Sequence, residues 1–365
     1  MLGYEGRDAA TANYLRAAQF DGPAWTPGRV SLMAATWMKY REALEDVVAS
    51  HPKVFGPWEK GRKDFDEVTN PQDELGRVTD CWGSKWENIE RGLAGAPVTH
   101  PLADWSALDS YEPPDPMTDG HFGPRPSWDE VKRGMERSRA AGGLARCDGL
   151  PHGFMYMRLY YLRGFENFML DLATGDVRLE RLVGMVEGYN AAVLDGYLRL
   201  GAEYVSLGDD LGLQRSLPMS PSMWRRWIGP SYERLVGRCR DAGALVRLHT
   251  DGHVLEIIPD LAACGVGILN PQIRANGLEG LKETAKGRVC IDLDLDRQLF
   301  PFASPSEIGD HIAEAHGALW APEGGLMLCA ECEPDVPLEN IEAICTALEN
   351  VCGLPDRASR GRAEG

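Results

Sequence analysis

Two stretches carry side chains suited to metal chemistry. "LVRLHTDGH" (residues 245–253) and "GLMLCAECEPDVPLENI" (325–341) each start as an apolar run and break into His, Asp, Glu and Cys. Imidazole, carboxylate and thiolate are the usual zinc donors, so His249, Asp251, Glu331 and Cys332 are candidate ligands. A lone His at a strand end also reads as a structural hydrogen-bonder. Alternation along a strand turns Cys329 and Glu331 to one face and Ala330 and Cys332 to the other. Glu331 and Cys332 are therefore not equivalent, and Glu331 is favoured; Cys329 reads as a core thiol. His253 is a lesser candidate, for a helix cap or a supporting hydrogen bond.

Other polar groups stand at the ends of apolar runs. Adjacent Asp209 and Asp210 can split their acidities, one serving as an acid, or can cap a helix or hold a loop. Asn270 and Gln272 suit hydrogen bonds to a substrate oxygen or to a ligand. Asp292 and Asp294 share a strand face, which directs both to one interior, where one could support His249 or replace Asp251 as a ligand. Trp82, Trp86 and Tyr160 are aromatic candidates for stacking on a substrate, or core residues.

The elements that must hold these groups are legible in the second half. Short apolar runs at "EYVSLGDDLG", "ALVRLHTDG", "VGILNPQ", "RVCIDLDLD" and "GGLMLCAEC" alternate with helical patterns. Runs that are apolar on both faces indicate parallel strands covered on both sides. Ser220-Pro221 and Ser304-Pro305 with Glu307 read as helix starts, and Gly265 as a helix end. No Gly-x-Gly-x-x-Gly follows a strand, which removes the main support for a dinucleotide fold. Every strand ends in polar groups, as a (β/α)8 barrel requires when its C-terminal strand ends converge on one site. "RVSLMAATW" (29–37) reads as the first strand. Residues 78–116 read as a strand pair with an aromatic insertion, and 143–175 as a strand, a loop and an aromatic-rich helix. The expected organisation is one TIM-barrel domain over residues 1–355, with 1–75 an N-terminal extension plus first strand, and a tail at 356–365.

The chain has 365 residues, 44% apolar, enough for a large core. A net charge of −17 argues against nucleic acid and anionic membranes as partners. No apolar run is long enough to span a membrane, and the N-terminus lacks a signal-peptide pattern. Nine scattered cysteines read as reduced thiols of a cytoplasmic protein.

Taken together, "DCWGSKWENIERGLAGAPVTHPLADW", "YYLRGFENFMLDLA", "SLGDDLGLQRSLPMSPSMWRRWIGPSYERLV", "LHTDGHVLEIIPDLAACGVGILNPQ" and "PDVPLENIEAI" resemble the uroporphyrinogen decarboxylase superfamily. The likeness runs in order from about residue 75 to 350. It implies a (β/α)8 barrel, and is nearest to the branch of zinc-dependent methyltransferases that work with corrinoid proteins. Two departures separate the chain from the decarboxylase. Ala34, Ala35 and Thr36 stand where that enzyme carries an Arg-rich segment, and its metal-free chemistry leaves the metal-like strand ends unexplained. Within the methyltransferase branch, His-x-Cys becomes His249-Thr250-Asp251. An oxygen-rich zinc is a harder Lewis acid, suited to an ether oxygen rather than a thiol.

The resemblance therefore implies a methyltransferase that demethylates a methoxylated aromatic compound. The methyl group would pass to the Co(I) of a corrinoid carried by a partner protein, with Zn2+ activating the ether oxygen. Asp209, Asp210 and Asp292 are the catalytic candidates, and Trp82, Asn270, Gln272 and Asp294 the substrate-binding ones. A uroporphyrinogen decarboxylase-like lyase and a methylcobalamin:thiol methyltransferase are the alternatives. The expected partners are the corrinoid protein, a small-molecule methyl donor and a second copy of the chain.

Overall fold

The computed structural model describes residues 1–355; the tail expected at 356–365 lies outside the described residues. Seven parallel strands form one curled sheet with helices packed around it, an α/β, TIM-barrel-like architecture. The strands are β1 (Gly28–Leu32), β2 (Arg146–Cys147), β3 (Tyr204–Gly208), β4 (Leu245–Thr250), β5 (Val266–Pro271), β6 (Cys290–Asp294) and β7 (Leu326–Cys332). Their spatial order is β2-β3-β4-β5-β6-β7-β1. Among the described residues β1 and β2 do not pair, and one of the eight barrel positions holds no strand.

The five strands expected in the second half are present, and their burial explains their composition. β6 is buried at every position, as a strand covered on both faces must be. Ser220 caps the helix Pro221–Trp227 through the amide of Met223. Ser304 and Glu307 form a reciprocal capping box on Pro305–Leu319. Gly265 ends Ile258–Cys264 with φ of 110°, a conformation that costs a side-chain residue more than glycine.

The first half departs from expectation at two points. β1 stops at Leu32, and Ala34–Ser50 is helical rather than a continuation of the strand. The ladder supplies the reason: Leu32 pairs with Cys332, the last residue of β7, so a longer β1 would have no partner there. The segment after it folds into three antiparallel strands, Gly76–Thr79, Lys85–Asn88 and Ala96–Thr99, instead of two. Their first turn is tied by Asp80, whose carboxylate accepts from the amides of Trp82 and Ser84 and from Trp86 Nε1. Arg158 completes the cluster at 2.5 Å, and both charged side chains are buried. Losing one partner of such a pair leaves an uncompensated charge, at a cost of about 3–5 kcal/mol. Trp82 and Trp86 belong to this core; Trp82 packs edge-on against Tyr189.

Candidate metal centre

At the C-terminal ends of the strands lies a cavity of about 470 Å3. β4 contributes Arg247 and His249 to its wall, two residues apart and so on one strand face. β5 contributes Asn270, β6 Asp294, β7 Cys329 and Glu331, and β1 Arg29 and Ser31. A loop after β2 brings in His152. The expected alternation on β7 is observed, since Ala330 and Cys332 face away into the core.

His152, Asp210 and His249 converge so that one ligand atom from each lies within 4.8 Å of the others. His152 Nε2 is 3.1 Å from Asp210 Oδ2. His249 Nε2 is 3.8 Å from Asp210 Oδ1 and 3.3 Å from Asp251 Oδ1. Asn270 decides how His249 is protonated. Its Oδ1 receives Arg247 Nη2 at 2.5 Å, while its Nδ2 donates to the carbonyl of Asp292. That Oδ1 can therefore only accept, and His249 Nδ1, 2.7 Å away, must donate to it. The Nε2 lone pair is thereby aimed at the cluster, the arrangement typical of a metal-binding histidine.

The electrostatics agree. Burial opposes ionisation of Asp210, but the hydrogen bond and charge of His152, with the charge of His249, hold its carboxyl below the usual range. Burial would also lower the pKa of His249; hydrogen bonding to Asp251 and the charges of Asp251 and Asp210 outweigh it and raise it. The carboxylates of Asp210 and Asp251 thus favour positive charge at His249 Nε2, and a divalent metal would take the place of a proton there. Two imidazoles and a carboxylate form a donor set that suits catalytic zinc and leaves a coordination position for substrate.

The backbone is shaped to deliver these groups. Gly208 ends β3, and its carbonyl accepts the amide of Gly153 at 2.7 Å. A Cβ on Gly208 would stand 2.4 Å from His152 Nδ1, so the loop docks only because this residue is glycine. At the turn after β4, Gly252 has φ of 83° and packs against the backbone of Gly212. Gln272 accepts the amide of Gly252 and holds that turn in place.

The remaining candidates fall into distinct places. Asp251 borders the cluster and also receives Arg297 at 3.2 Å. Glu331 lines the cavity, but its carboxylate is engaged by Arg297 at 2.7 Å. Cys332 is a correction: it is fully buried on the other strand face, and burial keeps its thiol protonated. Asp209 is likewise removed from the site, being wholly buried. It caps the helix Tyr156–Arg163 through the amides of Tyr156 and Met157 and accepts the Tyr232 hydroxyl at 2.8 Å. Asp292 sits below the cavity between Arg29 and Arg247, which hold it ionised against the effect of burial. Asp294 lines the cavity, and burial pushes its carboxyl up to about 6 despite Arg297. Trp82 is core and not part of this cavity. His253 turns away, to Glu256 and the carbonyl of Ala275.

Several cavity residues escaped the sequence reading, among them His152, Arg29, Arg247 and Arg297. "LPHGF" follows a barrel strand, where functional loops sit. Arg247, two residues before His249 in an apolar strand, shares its face. Arg29 and Arg297 left no comparable signal.

Residues 154–351, more than half of the chain, match the family model described as Uroporphyrinogen decarboxylase (URO-D). No curated protein matches the chain. Among solved structures, a methyltransferase from Methanosarcina mazei is similar with a TM-score of 0.59 and 17% identity, covering 93% of this chain and 98% of that one. A B12-independent methionine synthase from Shewanella sp. W3-18-1 in complex with selenomethionine has a TM-score of 0.39 and 12% identity, covering 62% and 65% of the two chains. A Xanthomonas albilineans dihydropteroate synthase with 4-aminobenzoic acid has a TM-score of 0.28 and 18% identity, covering 47% and 71%. The likeness to the Methanosarcina protein is one of fold, and the family match agrees with it: the chain belongs to the uroporphyrinogen decarboxylase (URO-D) family.

Proposed function

We propose that the protein is a metal-dependent methyltransferase that removes the methyl group of a methoxylated, aromatic compound and passes it to a corrinoid protein. The observation that carries this reading is the convergence of His152, Asp210 and His249 at the cavity, with Asn270 orienting His249. The fold shared with a methyltransferase from Methanosarcina mazei supports it. His152, Asp210 and His249 would hold a zinc ion, with Asp251 bordering them. A zinc ion there supplies Lewis acidity toward an ether oxygen, on which charge grows as the methyl leaves.

The chain's own groups define the surroundings. Arg297 bridges Asp251, Asp294 and Glu331 and fixes the carboxylates on that side. Asp294, whose pKa burial raises to about 6 despite Arg297, can hold a proton at the cavity wall for the departing oxygen. Asp292, Arg29 and Arg247 form a rigid ionic floor. In this reading the nucleophile is the Co(I) of a corrinoid carried by a partner protein. A second copy of the chain and a cytoplasmic location belong to the same proposal; among the described residues no helix is long and apolar enough to cross a membrane.

A lyase acting on a polycarboxylate is the second reading, favoured by Arg29, Arg247 and Arg297 at the cavity. Each of them is already paired with a carboxylate, which leaves little positive charge for such a substrate. The test is to mix the purified protein with a Co(I) corrinoid protein and methoxylated aromatic ethers and follow the absorbance change of the corrinoid on methylation. Methylation with at least one ether is expected. Loss of carbon dioxide from a carboxylated tetrapyrrole, with no corrinoid methylation, would favour the lyase.

A further inference from the structure

His152 walls two cavities. The second, of about 590 Å3, shares Asp148, Leu150 and His152 with the first and is bounded elsewhere by Phe122, Arg125 and Tyr197. That volume suits a small-molecule ligand. The chain reaches it through a tight hairpin, Asp119–Gly120 paired with Gly123–Pro124, whose two tip residues are His121 and Phe122. Both tip rings pack edge-on against Trp86, so this wall is anchored to the core.

Arg125, the next residue after the hairpin, is only 8% exposed. Its Nη1 donates to the carbonyl of Gly149 at 2.9 Å. Its Nη2 donates to the carbonyl of Asp119 at 3.2 Å and to the hydroxyl of Tyr189 at 2.9 Å. All three acceptors are uncharged. A guanidinium has five N–H donors, and the one on Nε is buried with no partner. The other two buried arginines differ: Arg158 has Asp80 at 2.5 Å and Arg163 has Asp171 at 2.7 Å. Among the described residues no carboxylate pairs with Arg125. Asp148, the acid in the same cavity wall, is largely exposed and pairs with Arg146.

A buried cation without a counter-charge is costly to the fold. A guanidinium with donors to spare is also the group best matched to a carboxylate. We infer that Arg125 is an anion subsite: it receives the carboxylate of a methoxylated aromatic acid whose ether end lies toward His152 and the metal centre. The ether half of this statement rests on the methyl-transfer reading; the carboxylate half rests on Arg125 alone. Phe122 and Leu150 supply the apolar wall that an aromatic ring between the two ends requires.

Isothermal titration of the full chain with 4-methoxybenzoate and with its neutral counterpart, 4-methoxybenzyl alcohol, tests the subsite. The wild type is expected to bind the acid at least tenfold more tightly, and Arg125→Gln to bind the two alike. Equal binding by the wild type, or an undiminished preference in Arg125→Gln, overturns the inference. A crystal structure of the wild type with 4-methoxybenzoate needs no variant. The carboxylate on Arg125 supports the subsite, and the carboxylate on Arg29, Arg247 or Arg297 overturns it. An Arg125-dependent preference without methyl transfer from either compound would leave the subsite standing and remove the methyl-transfer reading. Methyl transfer from both compounds with no preference would do the reverse.

Discussion

His249 and Asn270 sit on neighbouring strands with Nδ1 and Oδ1 2.7 Å apart, and this one hydrogen bond sets which nitrogen of the histidine faces the cavity. Arg247 fixes the amide by donating to the same oxygen. In the proposed metal centre, His249 would therefore be oriented by two residues that are not themselves ligands. Replacing Asn270 with Leu keeps the size of the side chain but removes the acceptor. Metal affinity is expected to fall about 10–100-fold, measured by competition with a coloured chelator. Unchanged affinity would separate Asn270 from the site.

The ligand set is tested by metal analysis of purified variants. His152→Ala, Asp210→Asn and His249→Ala are each expected to lose most of the bound metal. Glu331→Ala and Cys332→Ser are expected to retain it, because Glu331 is held by Arg297 and Cys332 faces the core. Full metal in His152→Ala together with loss in Glu331→Ala would return the ligand to β7.

Gly208→Ala probes the docking of the His152 loop without replacing a proposed ligand. The added methyl would stand 2.4 Å from His152 Nδ1, so the imidazole must move. Reduced metal content is expected, with the far-ultraviolet circular dichroism of the wild type. Wild-type metal binding would show that the loop adapts.

Stability should fall on the acid side through His121. Burial lowers the pKa of this imidazole, although Asp80 beside it acts the other way. The folded state thus takes the proton less readily than the unfolded chain, whose histidine titrates near 6.5. The stability from His121 is complete above that pH and is lost as the pH falls below it. Urea unfolding at pH 7.5 and pH 5 is expected to show the loss, and His121→Gln to reduce it. An equal loss in the variant would assign the acid limb to other groups.

Arg158→Met should destabilise the protein by about 3–5 kcal/mol, since it strands buried Asp80. Denaturant titration measures this directly. The double variant Arg158→Met with Asp80→Leu is expected to recover part of the loss; an equal or larger loss would mean the hydrogen bonds of Asp80 to the turn dominate.

The sequence carried most of the second half. The runs around Tyr204–Gly208, Leu245–Thr250, Val266–Pro271, Cys290–Asp294 and Leu326–Cys332 are apolar because both faces are covered, and that pattern is local. Ser304 with Glu307 and Gly265 are readable because a cap depends on a few adjacent residues. β1 was read too long because its end depends on where its partner β7 ends. The acids were the hardest to sort. Asp209 and Asp210 are neighbours, yet one caps a helix 52 residues before it and the other faces His152. Nothing local distinguishes them.

By itself, then, the sequence determined the alternating elements, the polar strand ends and the place of His249 on the inward face of its strand, since each follows from side-chain period and local capping. Only the tertiary structure decided which polar ends meet. It brought His152 to Asp210 across 58 residues, spent Glu331 on Arg297, buried Cys332, and left Arg125 without a counter-charge. Those outcomes depend on strand order, loop docking and the pairing of charges in a closed space, none of which is encoded in the spacing of neighbouring residues.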